Sequence, residues 1–272
     1  KGVIIAETRQ EARDALLSIM RDKKFGASGN SVVIEEFLEG PELSVLSFTD
    51  GTKLVPMVSS MDHKRALDGD RGLNTGGMGA IAPNPYYSED IAARCMQEIF
   101  IPTMNAMNAE GRKFKGCLYF GLMLTRDGPK LIEYNCRFGD PETQVVLPLL
   151  KTDLLEIMKA VTEERLAEIE VEFSKDCACC VIMASEGYPG DYEKGFELHI
   201  PAELDAEVYI AGAAERDGVL VSNGGRVLGC TAVAESLPLA VKKAYDAVSR
   251  ISFANAYYRK DIGARALKGM EV

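Results

Sequence analysis

The stretch LIEYNCRFGDPETQ, residues 131–144, begins as an apolar strand and ends in a charged loop. Glu133, Asn135 and Arg137 lie two residues apart, and side chains two apart on a strand face the same way. A carboxylate and an amide oxygen side by side suit Mg²⁺, which takes few protein oxygens besides phosphates and waters. The planar guanidinium of Arg137 can donate two parallel hydrogen bonds to a phosphoryl or carboxylate group. The pattern predicts a nucleotide–metal site; the alternative is a solvated strand edge.

Composition limits the class of protein. The chain has 272 residues, 47% of them hydrophobic and 26% charged, which is typical of a globular protein of two domains or one large one. A net charge of −10 disfavours nucleic acid and acidic membranes as partners. Seven scattered cysteines do not form a disulfide pattern, and no apolar run has transmembrane length. We expect a cytoplasmic monomer that acts on small molecules.

Periodicity and turn chemistry predict an α+β fold rather than a doubly wound one. A capping box at Thr8 and Glu11 predicts a helix that ends near Gly26. Residues 62–85 lack a regular period and are expected to be functional or disordered. The other predicted elements are strands at residues 2–6, 32–40 and 177–185, hairpins around residues 49–52, 126–129 and 215–218, and helices after Ser88, Thr152 and Ser236, the first kinked or broken at Pro102.

The stretch GLNTGGMGA, residues 72–80, has four glycines within eight residues. Consecutive N–H groups in such a loop can form an anion-binding nest, because glycine permits positive φ. MDHKR, residues 61–65, lies just upstream and supplies local positive charge. Within this cluster His63 is a candidate for lining a substrate pocket. The alternative for residues 72–80 is a flexible loop.

The stretch IEEFLEGPE, residues 34–42, is a third candidate site. Backbone at the end of a strand can bind an adenine edge, and a nearby carboxylate can bind ribose hydroxyls. Residues 35–38 and Glu42 fit these two tasks. The alternative is an acidic surface turn.

Together these stretches resemble the phosphoribosylamine–glycine ligase family of ATP-grasp enzymes. The shared motifs occur in the family's order along nearly the whole chain: DHKR, NTGGMGA, NCRFGDPETQ, GYPGDY, NGGRVL and YRKDIG. The resemblance implies an ATP-grasp fold with an incomplete lid subdomain at residues 1–37, a catalytic core at residues 38–168, and a smaller α/β C-terminal domain at residues 169–272. It also implies that the family's N-terminal domain and the first part of the ATP lid would precede Lys1.

The resemblance implies roles for individual residues. Glu133 and Asn135 correspond to the Mg²⁺ ligands, with Mn²⁺ as an alternative metal. The remaining assignments are Glu35, Glu36, Phe37, Leu38 and Glu42 for ATP, Asp62, Lys64, Arg137 and Asp140 for catalysis, and His63, Asn74, Thr75, Gly76, Gly77 and Gly79 for substrate.

The implied reaction belongs to purine biosynthesis. Glycine would react with ATP to give glycyl phosphate, and 5-phosphoribosylamine would then displace phosphate to form glycinamide ribonucleotide. Such a ligase needs positioning and charge neutralisation rather than an enzyme nucleophile. We expect the 272-residue chain alone to be inactive. The alternatives are a catalytically impaired module that binds ATP and Mg²⁺, or another purine-pathway ATP-grasp ligase.

Overall fold

A computed structural model describes residues 3–270 of the chain. Contacts between residues divide the chain into two compact units, residues 1–39 and residues 40–272. The domain boundaries expected after residues 37 and 168 stay a prediction. Within residues 3–270, no helix is both long and apolar enough to cross a membrane.

The first unit contains helix α1 (Arg9–Leu16). The predicted start is confirmed: the Thr8 hydroxyl accepts the N–H of Glu11 at 3.2 Å, and the Glu11 carboxylate accepts the N–H of Glu7 at 2.8 Å. A π-helical turn (Leu17–Arg21) continues the helix. The prediction that Gly26 ends the helix is therefore wrong; Gly26 opens a 3-10 turn (Gly26–Asn30).

The strands predicted at residues 2–6 and 32–40 are wrong wherever the structure describes them. Residues 3–6 and 32–40 are not in strands, and Gly2 lies outside the described residues. Val3 is 86% exposed and Val33 84% exposed. An apolar run becomes a strand only where a neighbouring strand takes up its backbone hydrogen bonds. The described part of the first unit provides no such strand.

The second unit is built from antiparallel strands and short helices. In chain order these are β1 (Glu42–Thr49), β2 (Leu54–Pro56), β3 (Met61–Asp62), β4 (Arg65–Leu67), β5 (Arg71–Asn74), β6 (Gly79–Ala82), α2 (Glu89–Cys95), α3 (Ile101–Ala109), β7 (Gly116–Thr125), β8 (Gly128–Asn135), α4 (Thr143–Val146), α5 (Leu154–Thr162), β9 (Cys177–Ser185), β10 (Glu207–Ile210), β11 (Ala213–Arg216), β12 (Val219–Ser222), β13 (Arg226–Ala234), α6 (Leu237–Val248), β14 (Ala256–Tyr257) and α7 (Ala264–Met270).

Two sheets organise these elements. One has four strands in the order β2-β1-β7-β8. The other has six strands: β10-β13-β9-β6-β3 form a continuous path, and β14 pairs with β9. The six-stranded sheet therefore joins β3 and β6 to strands that come about a hundred residues later, so these two parts of the chain fold together.

Successive side chains along the central strands point to opposite faces, which explains how both sheets are buried on two faces. On β9, Cys180 and Ile182 face a cluster shared with the four-stranded sheet, while Cys179, Val181 and Met183 face a cluster shared with α6. This confirms that the cysteine-rich run is a buried strand. The opposite face of the four-stranded sheet packs on α2 and α3.

Most of the local predictions for this unit are confirmed. The three predicted hairpins form as β1–β2, β7–β8 and β11–β12. Ser88 caps α2, accepting the N–H of Ile91 at 3.3 Å. The break expected at Pro102 does not occur: a π-helical turn (Met96–Phe100) leads into α3, which has Pro102 in its first turn. Residues 62–85 are not irregular throughout, because they contain β3, β4, β5 and β6.

Candidate functional site

A β-bulge in β8 sets the face of the sheet on which the predicted metal ligands lie. Leu122 of β7 pairs with Leu131, and the next β7 residue, Gly121, pairs with Glu133, so Ile132 is an extra residue. Leu131 consequently packs in the core, whereas Glu133, two residues later, lies on the other face. Gly121 lies close under Glu133: a Cβ there would lie 3.1 Å from the Cγ of Glu133 and would push that side chain aside.

Glu133, Asn135 and Arg137 form one connected array, as predicted from their spacing. The Asn135 amide donates to Glu133 Oε1 at 3.4 Å, and Arg137 donates to Asn135 Oδ1 at 3.2 Å. Arg137 also donates to the backbone oxygen of Phe138 at 2.7 Å. A carboxylate and an amide on one strand face fit a divalent cation that takes its other ligands from phosphates and water. Here the Asn135 oxygen accepts from Arg137, so the amide must rotate to offer that oxygen to a metal. Among the residues that the structure describes, no cluster of three or more His, Cys, Asp or Glu could hold a metal ion.

Lys64 is placed among acidic groups beside this array. It forms an ion pair with Glu42, at the start of β1. Burial opposes the charge of Lys64, but Glu42, Asp62 and Glu133 outweigh burial and raise the pKa of Lys64. Glu42, from the stretch 34–42, and Glu133, from the stretch 131–144, therefore both act on Lys64.

Asp62, which is half-buried, and Glu142, which is buried, form a carboxyl pair. Burial, followed by the charge of Glu142, raises the pKa of Asp62 well above its ordinary value. Burial likewise raises the pKa of Glu142, which is 4% exposed. The Oδ1 atom of Asp62 is buried and has no hydrogen-bond partner among residues 3–269. Burial, and for Asp62 also the neighbouring charge of Glu142, therefore shifts both groups towards protonation.

Glu142 also ends a chain of hydrogen bonds that the sequence did not reveal. Tyr119 donates its hydroxyl to Glu142 Oε1 at 3.0 Å, and the Ser44 hydroxyl lies 2.7 Å from that of Tyr119. Ser44 and Tyr119 lie on adjacent strands, β1 and β7. Glu142 stands in the quoted charged loop, but nothing in the sequence paired it with Asp62.

The glycine loop is not an anion nest, so that prediction is wrong. The N–H groups of Thr75, Gly76 and Gly77 donate to the Lys64 oxygen at 2.7 Å, the Tyr188 hydroxyl at 3.0 Å and the Thr75 hydroxyl at 2.9 Å. Because these donors have partners within the protein, they do not converge on a ligand. Gly77, at φ 115°, instead packs so closely that a Cβ would lie 2.3 Å from Pro141 Cδ and 2.7 Å from Asp62 Oδ1.

The other predicted substrate residues differ in exposure. Asn74 is exposed at the end of β5, whereas Gly79 is buried in β6. His63 is 5% exposed; its Nδ1 lies 3.3 Å from the Gly79 oxygen, and its Nε2 accepts the N–H of Gly263 at 3.1 Å. Both ring nitrogens are used by the backbone, which disfavours the predicted contact of His63 with a substrate.

Asp140 is held by a residue that the sequence did not identify. Arg226, in the motif NGGRVL, forms an ion pair with Asp140 Oδ2 at 3.0 Å. Gln144 donates to the other oxygen, Oδ1, at 2.9 Å. The motif match marked residues 223–228 as part of the resemblance but gave Arg226 no role.

The residues predicted to bind ATP do not all lie in one unit. Glu35, Glu36, Phe37 and Leu38 belong to the first unit, where Phe37 is 64% exposed. Glu42 belongs to the second unit, where it pairs with Lys64. A carboxylate has about four acceptor positions, so this ion pair leaves Glu42 able to accept further donors.

The described part of the second unit thus places cations and oxygen ligands close together. Lys64 and Arg137 can neutralise an anionic group, and Glu133 and Asn135 can hold a divalent cation. Such an arrangement suits the transfer of a phosphoryl group, in which catalysis rests on positioning and charge neutralisation.

Comparisons with known proteins match both parts of the chain. Residues 1–143 match the family "Phosphoribosylglycinamide synthetase, ATP-grasp (A) domain", and residues 178–265 match "Phosphoribosylglycinamide synthetase, C domain". The chain is 51% identical over 271 residues to the trifunctional purine biosynthetic protein adenosine-3 of Gallus gallus. It is 46% identical over 268 residues to the phosphoribosylamine–glycine ligase of Fusobacterium nucleatum.

A solved structure extends the comparison to the fold. The phosphoribosylamine–glycine ligase of Thermotoga maritima is 36% identical and superposes with a TM-score of 0.86, over 96% of this chain and 66% of that one. The matches to the Gallus gallus and Fusobacterium nucleatum proteins cover 98% and 97% of this chain, but only 27% and 63% of those proteins. The chain therefore corresponds to part of the length of each relative.

Proposed function

This chain belongs to the phosphoribosylglycinamide synthetase family, and we propose that it contains the phosphoryl-transfer site of an ATP-dependent ligase that joins glycine to 5-phosphoribosylamine. The array of Glu133, Asn135 and Arg137 on and after β8 is the observation that carries the proposal. It provides oxygen ligands and a cation side by side, next to Lys64.

In the proposed reaction the glycine carboxylate oxygen attacks the γ-phosphorus of ATP, and the bond to ADP breaks. The amine of 5-phosphoribosylamine then attacks the glycyl carbon, phosphate leaves with the bonding electrons, and the nitrogen loses a proton. Arg137 and Lys64 are placed to neutralise the transferring phosphoryl group. The backbone of residues 35–38 is the proposed adenine site, and Glu42 the proposed acceptor for ribose hydroxyls.

Glu133 and Asn135 would hold Mg²⁺, or Mn²⁺ in its place. The metal would neutralise phosphate charge and fix the orientation of the phosphates. Because the two side chains supply at most three oxygens, the remaining ligands would come from the nucleotide and from water.

The test is an assay of the full-length protein that carries this chain, with ATP, Mg²⁺, glycine and freshly generated 5-phosphoribosylamine. We expect glycine-dependent release of ADP. Glu133→Gln removes one charged ligand from an exposed position, so turnover should fall at least about 100-fold while the melting temperature hardly changes. Glu203→Gln, an exposed carboxylate in the C-terminal part, is the matched control and should keep the wild-type rate.

Three results would contradict parts of this proposal. ADP release that does not depend on glycine would rule out this ligase and favour another ATP-grasp activity. ATP binding without turnover would favour a binding module. Wild-type activity of Glu133→Gln at limiting Mg²⁺ would show that the metal is held elsewhere. The inactivity expected of the 272-residue chain by itself stays a prediction, which the same assay checks.

A further inference from the structure

Arg226, at the start of β13, connects two loops that are far apart in the sequence. Its Nη1 donates to the backbone oxygens of Gly76 at 3.0 Å, Gly77 at 3.3 Å and Asp140 at 2.9 Å. Its Nη2 donates to Asp140 Oδ2 at 3.0 Å. One guanidinium therefore holds the glycine loop against the loop that follows β8.

Tyr188 holds the same glycine loop from the C-terminal part of the chain. Its hydroxyl accepts the N–H of Gly76 at 3.0 Å. The ring packs on Gly225, where a Cβ would lie 2.2 Å from the Tyr188 ring. Tyr188 and Arg226 lie in the motifs GYPGDY and NGGRVL, so each motif contributes one contact to Gly76.

The geometry of these contacts requires a guanidinium. Arginine offers five N–H donors in a rigid plane, whereas a lysine ammonium is a compact group with three. A Cβ on Gly76 would lie 3.0 Å from Arg226 Cζ, so the guanidinium rests flat against this glycine. A lysine could keep the charge but has no second nitrogen to bind the Asp140 carboxylate while the first binds the backbone oxygens.

The contacts of Arg226 reach two carboxylates of the proposed site. Gly77 abuts Asp62 Oδ1. Asp140 has one oxygen bound by Arg226 and the other by Gln144, yet its side chain is 54% exposed. A carboxylate that is fixed at both oxygens and open to solvent is oriented for a ligand rather than buried for stability.

We propose that Arg226 and Tyr188 form a clamp through which the C-terminal part of the chain positions Asp62 and Asp140 for the ligase reaction. The inference rests on the proposed function. Arg226 is a positioning residue, because it acts through Gly76, Gly77 and Asp140. A misplacement of about 1 Å can lower a rate roughly 100-fold, so small shifts of these loops matter.

The experiment compares Arg226→Lys, Arg226→Ala and Tyr188→Phe with the wild type in the full-length protein. We expect kcat to fall roughly 10- to 100-fold in both Arg226 variants and less in Tyr188→Phe, while the KM for ATP changes less than about two-fold. Asp50→Asn controls for lost stability. It leaves one side-chain oxygen where two now accept the N–H groups of Thr52, Lys53 and Leu166, far along the chain from the clamp.

A double-mutant cycle provides a readout that lost stability would not produce. If Arg226 acts partly through Asp140, the loss of kcat in Arg226→Ala combined with Asp140→Asn should be clearly smaller than the product of the two single losses. Additive losses would overturn the clamp, as would a kcat of Arg226→Lys that falls no more than that of Asp50→Asn at an equal loss of melting temperature. If the wild type releases no ADP in response to glycine, the proposed function fails and the clamp with it; if only the Arg226 variants behave like the wild type, the clamp alone fails.

Discussion

Two buried titratable residues, His63 and Glu142, respond to pH in opposite directions. His63 donates from Nδ1 towards Gly79 and accepts at Nε2 from Gly263, which requires the neutral ring. Burial, followed by the charge of Arg259, lowers the pKa of His63 to about 4. Glu142 lies beside Asp62 at a pKa that burial raises. In both residues, burial therefore shifts the pKa towards the uncharged form.

We expect His63 to make the protein less stable as the pH falls from about 6.5 to about 4. In this window the unfolded chain binds a proton that the folded ring does not, so stability rises with pH and is lost on acidification. The free energy of unfolding should fall by about 3 kcal/mol across the whole window. In His63→Gln, the unfolding free energy should depend less on pH across the window. NMR titration of the wild-type ring gives an independent measurement, and a His63 pKa above 6 would contradict the prediction.

Glu142→Gln should stabilise the protein at pH 8. A raised carboxyl pKa means that the folded state binds a proton that the unfolded state has released, so this group lowers stability as the pH rises above its unfolded pKa. Glutamine keeps an acceptor for the Tyr119 hydroxyl and removes the charge next to Asp62. We expect a melting temperature a few degrees higher than that of the wild type at pH 8, and no gain near pH 4. A lower melting temperature at pH 8 would contradict this.

At the scale of elements, the glycine loop between β5 and β6 allows close packing against the segment after β8. Gly77 combines a φ of 115° with contacts to Pro141 and Asp62 that leave no room for a side chain. These contacts join the loop to the segment after β8. The loop therefore contributes both to stability and to the placement of Asp62.

Gly77→Ala should lower both stability and activity. Backbone strain at this φ, together with the clash against the Pro141 ring, should destabilise the protein by roughly 1–3 kcal/mol, and turnover should fall with the displacement of Asp62. Gly111→Ala is the matched control: Gly111 has φ 66° but no atom within 4 Å of a Cβ. It should cost at most about 1 kcal/mol and leave turnover unchanged. Equal effects of the two substitutions, measured by urea unfolding and ADP release, would rule out the packing role.

Elements with local causes could be predicted from the sequence, and elements with distant partners could not. The hairpin β7–β8 follows from its turn, and the start of α2 follows from Ser88. The strand predicted at residues 32–40 needed a partner strand that no local pattern reveals. That Glu133 and Asn135 share a strand face was predictable, because side chains two residues apart point the same way; the bulge at Ile132 was not predictable. Arg226 was missed because its partners lie 86 and 150 residues away.

At the scale of the second unit, Arg259 joins the hairpin β4–β5 to the C-terminal segment. Its side chain is 1% exposed and pairs with Asp70 at 3.0 Å and Asp261 at 2.7 Å. It also donates to the backbone oxygen of Arg65 at 3.1 Å. The motif YRKDIG therefore anchors the segment that follows Lys64.

Arg259→Ala should destabilise the protein by about 2–4 kcal/mol, because it removes a buried side chain together with its charged hydrogen bonds to Asp70 and Asp261. Arg259→Lys should recover only part of this loss, since an ammonium cannot reproduce the fork to Asp261. Urea unfolding of the full-length protein measures both. A loss below 1 kcal/mol for Arg259→Ala would show that the anchor contributes little.

The six-stranded sheet determines when part of the protein can fold during synthesis on the ribosome. Strand β6 ends at Ala82 and its neighbour β9 begins at Cys177, so about 95 residues must be synthesised before the two can pair. At roughly 5–20 residues per second this takes about 5 to 20 s, during which β3 and β6 await their partner and can be bound by chaperones. Proteolysis of ribosome-bound nascent chains should therefore show protection of residues 61–82 only once the emerged chain extends past Ser185. Protection in shorter nascent chains would show that this segment folds without β9.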